Sequence, residues 1–161
     1  MSPSQPPIDE ATSAFLQGGV SILVATSDRT NTPYLVRAAG CQVSPDRGEV
    51  TLLVPGADPF LDAVRETGRI AVTFTQPSTH RTYQIKGEGA RILGKRDTDE
   101  ELTRAYTRAF AADLGPLGYS QAFVESLVWI APTELTPLSF APSAVFLQTP
   151  GPRAGELLGS R

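Results

Sequence analysis

IAVTFTQPSTHRTYQIKG, residues 70–87, is the stretch that decides the fold class of this protein. Its first part, residues 70–75, is rich in β-branched and aromatic side chains, as buried strands are. Its last part, residues 82–86, alternates between polar and apolar side chains, which is typical of a strand with one buried face. The residues between them are polar and include a proline, so the stretch is predicted to form two strands joined by a corner.

The second strand of this stretch carries a row of polar side chains. Tyr83 and Ile85 are predicted to point to one face of the sheet. Thr82, Gln84 and Lys86 are predicted to point to the other face. Two interpretations of this polar row stay open, because it is either a solvated outer face, which antiparallel sheets commonly have, or the wall of a binding site.

The corner before this strand collects hydrogen-bond donors that suit an anionic or carbonyl-rich ligand. It contains four such residues in succession, Ser78, Thr79, His80 and Arg81. His80 is the only histidine of the chain, and a lone histidine without a neighbouring cysteine does not make a metal site. We therefore expect His80 to hydrogen bond to a ligand or to the backbone rather than to act as an acid–base catalyst, and no metal is predicted.

The rest of the chain alternates short strands with a few helices. Helices are predicted at residues 9–18, 59–66, 98–114 and 120–126, and strands at residues 20–27, 34–43, 49–54, 70–75, 80–93 and 127–140. Asp58 is predicted to cap the second helix, Gly87 with Gly89 predicts a β-bulge, and Trp129 falls in the last strand. Five or six antiparallel strands with peripheral helices predict a mainly β fold, in the form of a closed or nearly closed barrel.

The chain of 161 residues has the length of a single domain. Residues 1–7 are rich in serine and proline and are predicted to be a disordered N-terminal segment. Residues 8–140 are predicted to form the barrel domain. Residues 141–161 contain many proline and glycine residues, so they are predicted to be a C-terminal tail that is extended or wraps a neighbour.

Charge and composition argue against several classes of function. The formal net charge is −3 and the sequence pI is about 5.1, whereas nucleic-acid binders normally present a basic face. No segment approaches the roughly 20 apolar residues of a membrane span, and the first residues lack the basic start and apolar run of a secretory signal. Cys41 is the only cysteine and stands in an apolar run, so we expect a buried, inert thiol and a reducing, cytoplasmic setting.

Four stretches of the chain resemble the pyridoxamine 5'-phosphate oxidase-like family of FMN-binding split β-barrels. They are VSILVATSDRTNTP at residues 20–33, with Arg37 soon after it, the short helix at residues 59–67, the strand pair at residues 70–87, and FLQTPGPRAG at residues 146–155. The order of these elements carries the resemblance, since no single motif in them is specific. The resemblance implies an antiparallel split β-barrel, FMN as cofactor, and a homodimer with two flavin sites at the subunit interface.

The resemblance also implies which residues contact the cofactor. A strand arginine comparable to Arg37 contacts the flavin phosphate in that family, but here Arg37 can equally well pair with a carboxylate or reach water along its stem. The corner at residues 79–81 and the polar row after it match the cofactor side of the family. The cofactor-binding residues implied in this way are Arg37, Thr79, His80, Arg81, Thr82, Gln84 and Lys86.

One departure from the family pattern bears on flavin binding. Family members that bind FMN firmly carry a Ser or Thr with a Lys or Arg just before the helix that follows the third strand. In this chain the matching stretch is residues 55–60, which contain no Lys or Arg and instead include the anion Asp58. Because Asp58 would repel a phosphate, the sequence predicts weak FMN binding, a different ligand or no ligand.

Two functions therefore stay open. The first is an FMN-dependent oxidoreductase that acts on an unidentified small molecule, with its chemistry supplied by the cofactor. The second is a split-barrel dimer without flavin that binds a small molecule or acts structurally. True pyridoxamine 5'-phosphate oxidase activity is not expected, because the C-terminal stretch lacks the Arg- and His-bearing signature of those enzymes.

Overall fold

The structure is a computed structural model and describes residues 7–161 of the chain. This range contains eight strands and four α-helices. The strands are β1 (Ser21–Ser27), β2 (Pro33–Ala38), β3 (Cys41–Val43), β4 (Val50–Pro55), β5 (Ile70–Thr75), β6 (Thr82–Ile92), β7 (Leu135–Leu147) and β8 (Leu157–Ser160). The helices are α1 (Glu10–Leu16), α2 (Asp58–Thr67), α3 (Asp99–Leu114) and α4 (Gln121–Val128).

All eight strands belong to one curled antiparallel sheet, in the order β2-β1-β5-β6-β7-β4-β3, and β8 also pairs with β7. Between β2 and β3, the amide of Ala39 donates to the carbonyl of Leu53 at 2.8 Å. The amide of Leu53 in turn donates to the carbonyl of Gly40 at 3.1 Å. These bonds bring β4 against the β2 side of the curl, so the predicted mainly β, antiparallel fold is confirmed.

The core lies inside the curl of the sheet. On β5, Ile70, Val72 and Phe74 are buried, whereas the residues between them are only partly covered. The same alternation buries Tyr83 and Ile85 on β6, as the sequence pattern predicts. Burial of a large apolar side chain contributes about 1.5–3 kcal/mol, and a slip of one residue would turn the whole row outward. These rows therefore fix which face of each strand points inward.

Gly87 marks a close approach of two strands. A Cβ atom at this position would collide with the ring of Phe140 on β7, which is fully buried. The register of β6 against β7 shifts between Lys86 and Gly87, and it shifts again between Glu88 and Arg91. The predicted bulge is therefore confirmed, and only glycine fits at position 87 because no side chain has room beside that ring.

The last strand of the barrel lies further along the chain than the sequence pattern predicts. Residues 127 and 128 end α4, whose buried side chains Val124 and Val128 are one helical turn apart. Trp129 follows this helix, so the first half of the predicted strand at residues 127–140 is wrong. β7 instead extends to residue 147 and tolerates Pro142, because this residue pairs with Gly87 at the bulge, where the regular ladder is interrupted.

Two helix starts test the predicted caps. The sequence allows either Asp9 or Thr12 as the cap of the first helix, and in the structure Asp9 caps α1 and accepts a hydrogen bond from the amide of Thr12 at 2.7 Å. At α2, Ala57 occupies the cap position without a side-chain hydrogen bond, and Asp58 is the first helical residue. The prediction that Asp58 caps α2 is therefore wrong by one position, although its carboxylate still lies at the positive end of the helix.

Strand pairing in the sheet extends beyond the residues predicted to form the barrel domain. Residues 1–6, most of the segment predicted to be disordered, lie outside the described residues. The predicted boundary at residue 140 falls inside β7. Residues 157–160 return to the sheet as β8, so strand pairing continues into the region predicted to be a tail.

Replacing Gly87 with alanine is expected to destabilise the fold by about 1–3 kcal/mol, the usual cost of overpacking a filled core. Gly94 is the matched control, because a Cβ there meets no atom within 4 Å and its φ is not positive. Urea denaturation should give a lower midpoint for Gly87→Ala, whereas Gly94→Ala should stay within about 0.5 kcal/mol of the parent. Equal midpoints for both variants would contradict the close approach of β6 and β7.

Candidate functional site

The seven residues predicted to bind a cofactor lie in three places on the sheet. One group is on the outward side of β6, the second is in the corner between β5 and β6, and the third is a single arginine on β2. The groups are, in this order, Thr82, Gln84 and Lys86; Thr79, His80 and Arg81; and Arg37. The structure thus does not bring all seven residues into one cluster of a single subunit.

Two of the three outward residues on β6 are available to a ligand. The side chain of Thr82 is buried, and its hydroxyl donates to the carbonyl of His80 at 2.9 Å. The side chains of Gln84 and Lys86 have no hydrogen-bond or ion-pair partner among residues 7–161. Lys86 is exposed, and its Nζ lies 5.0 Å from the centroid of the Phe146 ring, which holds the ammonium group over the sheet.

A groove of about 350 Å³ runs along the same face beside Lys86. Ala25 on β1 pairs with Ala71 on β5, and Ala71 pairs with Lys86 on β6, so small side chains form a floor next to the ammonium group. Arg69 and Glu88 also line this groove. We call the surface formed by these five residues the outer groove. Its flat apolar floor with a cation at one side suits a planar ligand that carries polar atoms.

Much of the polar corner is used to hold the protein together. The carboxylate of Asp113 on α3 accepts hydrogen bonds from the Ser78 amide at 3.0 Å, from the Ser78 hydroxyl at 2.7 Å and from Gln76 Nε2 at 2.8 Å. The hydroxyl of Thr79 donates to Gln76 Oε1 at 2.9 Å. His80 is exposed and adopts a φ of 60°, which residues with a side chain rarely do. Several donors that sequence reasoning assigned to a ligand therefore bind the protein itself.

Arg81 faces away from the outer groove, as side-chain alternation along the chain requires. Its Nε donates to the hydroxyl of Tyr83 at 3.1 Å, and its guanidinium lies 5.1 Å from the centroid of the Phe15 ring. Together with Arg47 and Asp9 it lines a pocket of about 500 Å³. The pKa of Asp9 is lowered, mainly by hydrogen bonds from the first turn of α1 and further by the two guanidinium groups.

Arg37 lies apart from the residues on β6. It is on the outer face, but β1 and β5 lie between β2 and β6, so three strand spacings separate Arg37 from Gln84. Spacings of about 4.8 Å correspond to about 14 Å between the two residues. The guanidinium of Arg37 lies 5.0 Å from the centroid of the Phe110 ring on α3. Burial raises the pKa of the neighbouring Tyr106 hydroxyl, and the charge of Arg37 opposes this rise.

The surface around α2 is acidic. A pocket of about 540 Å³ beside this helix is lined by Asp28, Asp62 and Glu66, with Arg65 as its cation. Arg65 already forms an ion pair with Asp62 at 2.7 Å. Hydrogen bonds within its own loop lower the pKa of Asp28, so this carboxylate stays charged at neutral pH. Together with the exposed Asp58 at the start of α2, these groups would repel a phosphate.

The thiol of Cys41 is buried, as predicted. Burial raises the pKa of this thiol, so it is protonated at neutral pH and unreactive. Within residues 7–161, no group of three or more His, Cys, Asp or Glu side chains is placed to hold a metal ion. None of the helices in this range combines the length and the apolar character that a membrane span requires.

Sequence reasoning did not find four of the five residues of the outer groove, which are Ala25, Arg69, Ala71 and Glu88. Arg69 stands directly before β5, and Ala25 and Ala71 have the small side chains of ordinary strand positions. A weak signal was present, because both alanines fall on the outward side of their strands, where larger side chains are common. Only the pairing of β1, β5 and β6 makes these residues neighbours of Lys86.

No protein-family model matches the chain, and no curated protein matches it in sequence. Solved structures match it in fold. HupZ from Group A Streptococcus has 16% sequence identity and a TM-score of 0.54, over 92% of this chain and 99% of that chain. An F420 reductase has 12% identity and a TM-score of 0.52, over 86% and 98% of the two chains. A Lactobacillus delbrueckii protein described as a candidate pyridoxamine 5'-phosphate oxidase has 11% identity and a TM-score of 0.54, over 87% and 93%.

These solved structures have the split-barrel fold, so the split β-barrel predicted from the sequence is confirmed. The matches span most of this chain and nearly all of each matched chain. At such low sequence identity the similarity concerns the fold, and the roles of individual residues follow from the geometry described above.

Replacing Asp113 with alanine is expected to free the corner between β5 and β6, because the Ser78 amide, the Ser78 hydroxyl and Gln76 all lose their acceptor. Loss of an acceptor that several donors share typically costs about 1–3 kcal/mol. Urea denaturation should report this loss, and hydrogen exchange at the Ser78 amide should become faster. Asp62→Ala removes an exposed carboxylate and is the control, for which little change is expected. Unchanged exchange at Ser78 would show that Asp113 does not anchor the corner.

Proposed function

We propose that this protein binds a flavin of the FMN type in the outer groove and acts as an oxidoreductase on a small molecule. The observation that carries this proposal is Lys86, whose side chain lacks a partner in the described part of the chain and lines the outer groove beside the alanine floor. Gln84, which also lacks a side-chain partner there, lies two residues before it on the same face of β6. The fold gives support, because similar structures include an F420 reductase and a candidate pyridoxamine 5'-phosphate oxidase.

The residues of the outer groove are suited to a flavin ring. The methyl groups of Ala25 and Ala71 leave a flat apolar surface against which a planar ring can pack. Next to the groove on the same face of β6, the amide of Gln84 can donate to a ring carbonyl and accept from a ring N–H. The ammonium of Lys86 can lie near the electron-poor half of the ring, where negative charge increases on reduction. When it is bound, the flavin supplies hydride or electron transfer.

Arg69 is the cation of the groove that can hold a phosphate. Its guanidinium has only a weak hydrogen bond, of 3.5 Å, to the carbonyl of Asp28, and it forms no ion pair within residues 7–161. The acidic surface of α2 offers no help to a phosphate. A single arginine gives fewer charge-assisted bonds than the cation clusters of strong phosphate sites. We therefore expect FMN to bind only slightly more tightly than riboflavin.

A split barrel that binds a small molecule without flavin is the second candidate function. The acidic side chains Asp28, Asp58, Asp62 and Glu66 around α2 favour it, because a phosphate-bearing cofactor is repelled on that side. In this case the outer groove would hold a neutral or weakly anionic planar molecule instead. The two functions differ in whether the protein takes up flavin at all.

Titration with riboflavin and with FMN, monitored by quenching of flavin fluorescence, separates the contributions of Lys86, the alanine floor and Arg69 to flavin binding. Lys86→Gln should weaken binding of both flavins about tenfold, since loss of one charge-assisted bond removes roughly 1.5 kcal/mol. Ala71→Leu should weaken both as well, because the larger side chain fills the floor without changing the charge. Arg69→Gln should weaken FMN alone. Arg108→Gln is the matched control on the exposed side of α3, and it should leave both affinities unchanged.

Three results would count against the flavin function. If the parent protein takes up neither riboflavin nor FMN, the flavin function is excluded and only the second candidate function remains. Equal flavin affinities for the parent and Lys86→Gln would move the site away from the outer groove. A loss of FMN affinity in Arg108→Gln of the same size as in Lys86→Gln would indicate nonspecific attraction of a charged ligand.

We also propose that two copies of the chain associate into a cytoplasmic homodimer through the outer face of β1 and β2. Leu23 is 41% exposed and Leu35 is 63% exposed, and both point outward from adjacent strands. Ala25 lies between them in the sheet, so the three side chains form a continuous apolar surface. Apolar surface of this kind is stabilised by burial against a partner.

The homodimer has a direct test in the substitution Leu35→Asp. A charged side chain at the centre of an apolar interface loses hydration without gaining a partner, so association should weaken by at least tenfold. Light scattering and sedimentation should then report a monomer at concentrations where the parent is a dimer. Leu157→Asp is the control, because Leu157 is also exposed, at 51%, but lies on β8 away from β1 and β2. A monomeric parent would exclude the dimer.

A further inference from the structure

A further pocket, of about 450 Å³, opens between the outer face of the sheet and the helices α3 and α4. Phe110 and Leu114 of α3 form one wall, and Phe123 and Leu127 of α4 form another. Arg37 lines it on the β2 side. We call this cavity the helix pocket. Its volume lies within the range of sites for small organic molecules, roughly 300–1,000 Å³.

The helix α4 is apolar on two sides, which a surface helix does not need for folding. Val124 and Val128 are buried against α3 and hold α4 in position. Phe123 and Leu127 point into the mouth of the helix pocket, where they are 53% and 68% exposed. The ring of Phe123 stacks on Tyr119 with 6.1 Å between centroids, so the exposed wall is also ordered. An exposed and ordered apolar wall indicates a surface that binds something.

Arg37 supplies the only formal charge among the side chains that line the helix pocket in the described part of the chain. Its side chain is partly buried, and it forms no ion pair with any carboxylate within residues 7–161. The ring of Phe110 covers one face of its guanidinium and the Tyr106 hydroxyl lies beside it, so the remaining N–H groups at its edge are left for another partner. Ser21 lines the same end of the pocket and adds a hydroxyl donor. The pocket therefore combines one anion-binding end with an apolar body.

We propose that the helix pocket binds an organic monocarboxylate with an apolar body, either a short aliphatic chain or an aromatic ring system. Arg37 accommodates the carboxylate because its planar fork matches two carboxylate oxygens, and Ser21 donates one more hydrogen bond. Phe123 and Leu127 cover the apolar body. A dianion is disfavoured because the lining offers a single positive charge. This site is independent of the flavin function, since Arg37 and Gln84 are separated by two intervening strands.

Calorimetric titration of the full chain with 2-naphthoate and with octanoate tests the proposal. The neutral analogues 2-naphthalenemethanol and octanol, which keep the apolar body, should bind at least tenfold more weakly than the acids. In Arg37→Gln, the affinity for each acid should fall at least tenfold, and the affinity for each alcohol should stay the same. Arg108→Gln removes a cation from α3 that does not line the helix pocket, so it should change neither the affinity for the acids nor that for the alcohols. Circular dichroism of Arg37→Gln should match the parent, because the substitution leaves the core intact.

A pair of substitutions at one exposed position keeps the test independent of any effect of Arg37 on folding. Leu127→Glu and Leu127→Lys remove the same apolar contact but place opposite charges at the mouth of the pocket. The glutamate variant should bind the acids at least tenfold more weakly than the lysine variant, whereas the two should not differ for the alcohols. This difference cannot come from a change in packing alone.

Several outcomes would overturn the monocarboxylate site. Acids and alcohols that bind equally well would remove the role of Arg37. Acid affinities that are the same in the parent and in Arg37→Gln would also remove the role of Arg37. Equal acid affinities in Leu127→Glu and Leu127→Lys would show that charge at the mouth of the pocket does not affect binding. If the parent binds no acid and Leu127→Glu abolishes self-association measured by light scattering, the helix pocket is instead covered by a second copy of the chain.

Discussion

The contact between Gly87 and the ring of Phe140 is the constraint on which the rest of the structure depends. It lets β6 pass close to β7 and fixes the register of the two central strands, with a bulge on either side. Once this register is fixed, Tyr83 and Ile85 must point into the core, and Lys86 must point outward. The position of every polar side chain on β6 is therefore a consequence of packing inside the curl.

The same packing explains why polar residues that are adjacent in sequence have different roles. Arg81 and Lys86 belong to one hairpin, but they lie on opposite faces of the sheet. Just before Arg81 in the chain, the corner is anchored to α3 because Ser78 and Gln76 donate to Asp113. A cluster of donors in a sequence can thus serve the fold, a pocket and an outer surface at once. Chemistry on this protein is expected where polar side chains remain without partners.

The outer face of the barrel carries the features that a fold alone does not require. Lys86 stands beside a floor of small side chains, and Arg37 stands beside an apolar wall on the other side of two intervening strands. Leu23 and Leu35 are exposed on the strands between or beside these two places. A different pocket, beside α2, is lined by Asp28, Asp62 and Glu66. The outer face is therefore where cations that are unpaired in the described part of the chain lie close to exposed apolar side chains.

The sequence by itself determined most of the strands, the buried rows, the bulge at Gly87 and the inert thiol of Cys41, because each of these follows from local periodicity or from the chemistry of one residue. It did not predict β8 or the division of residues 34–43 into β2 and β3. It located the last strand poorly, since an apolar run such as residues 127–132 fits a helix end as well as a strand. Only the tertiary structure decided that Arg37, Arg81 and Lys86 line three different pockets. The physical reason is that alternation along a strand is local, whereas the neighbours of an outward side chain are set by the pairing of strands that are distant in the chain.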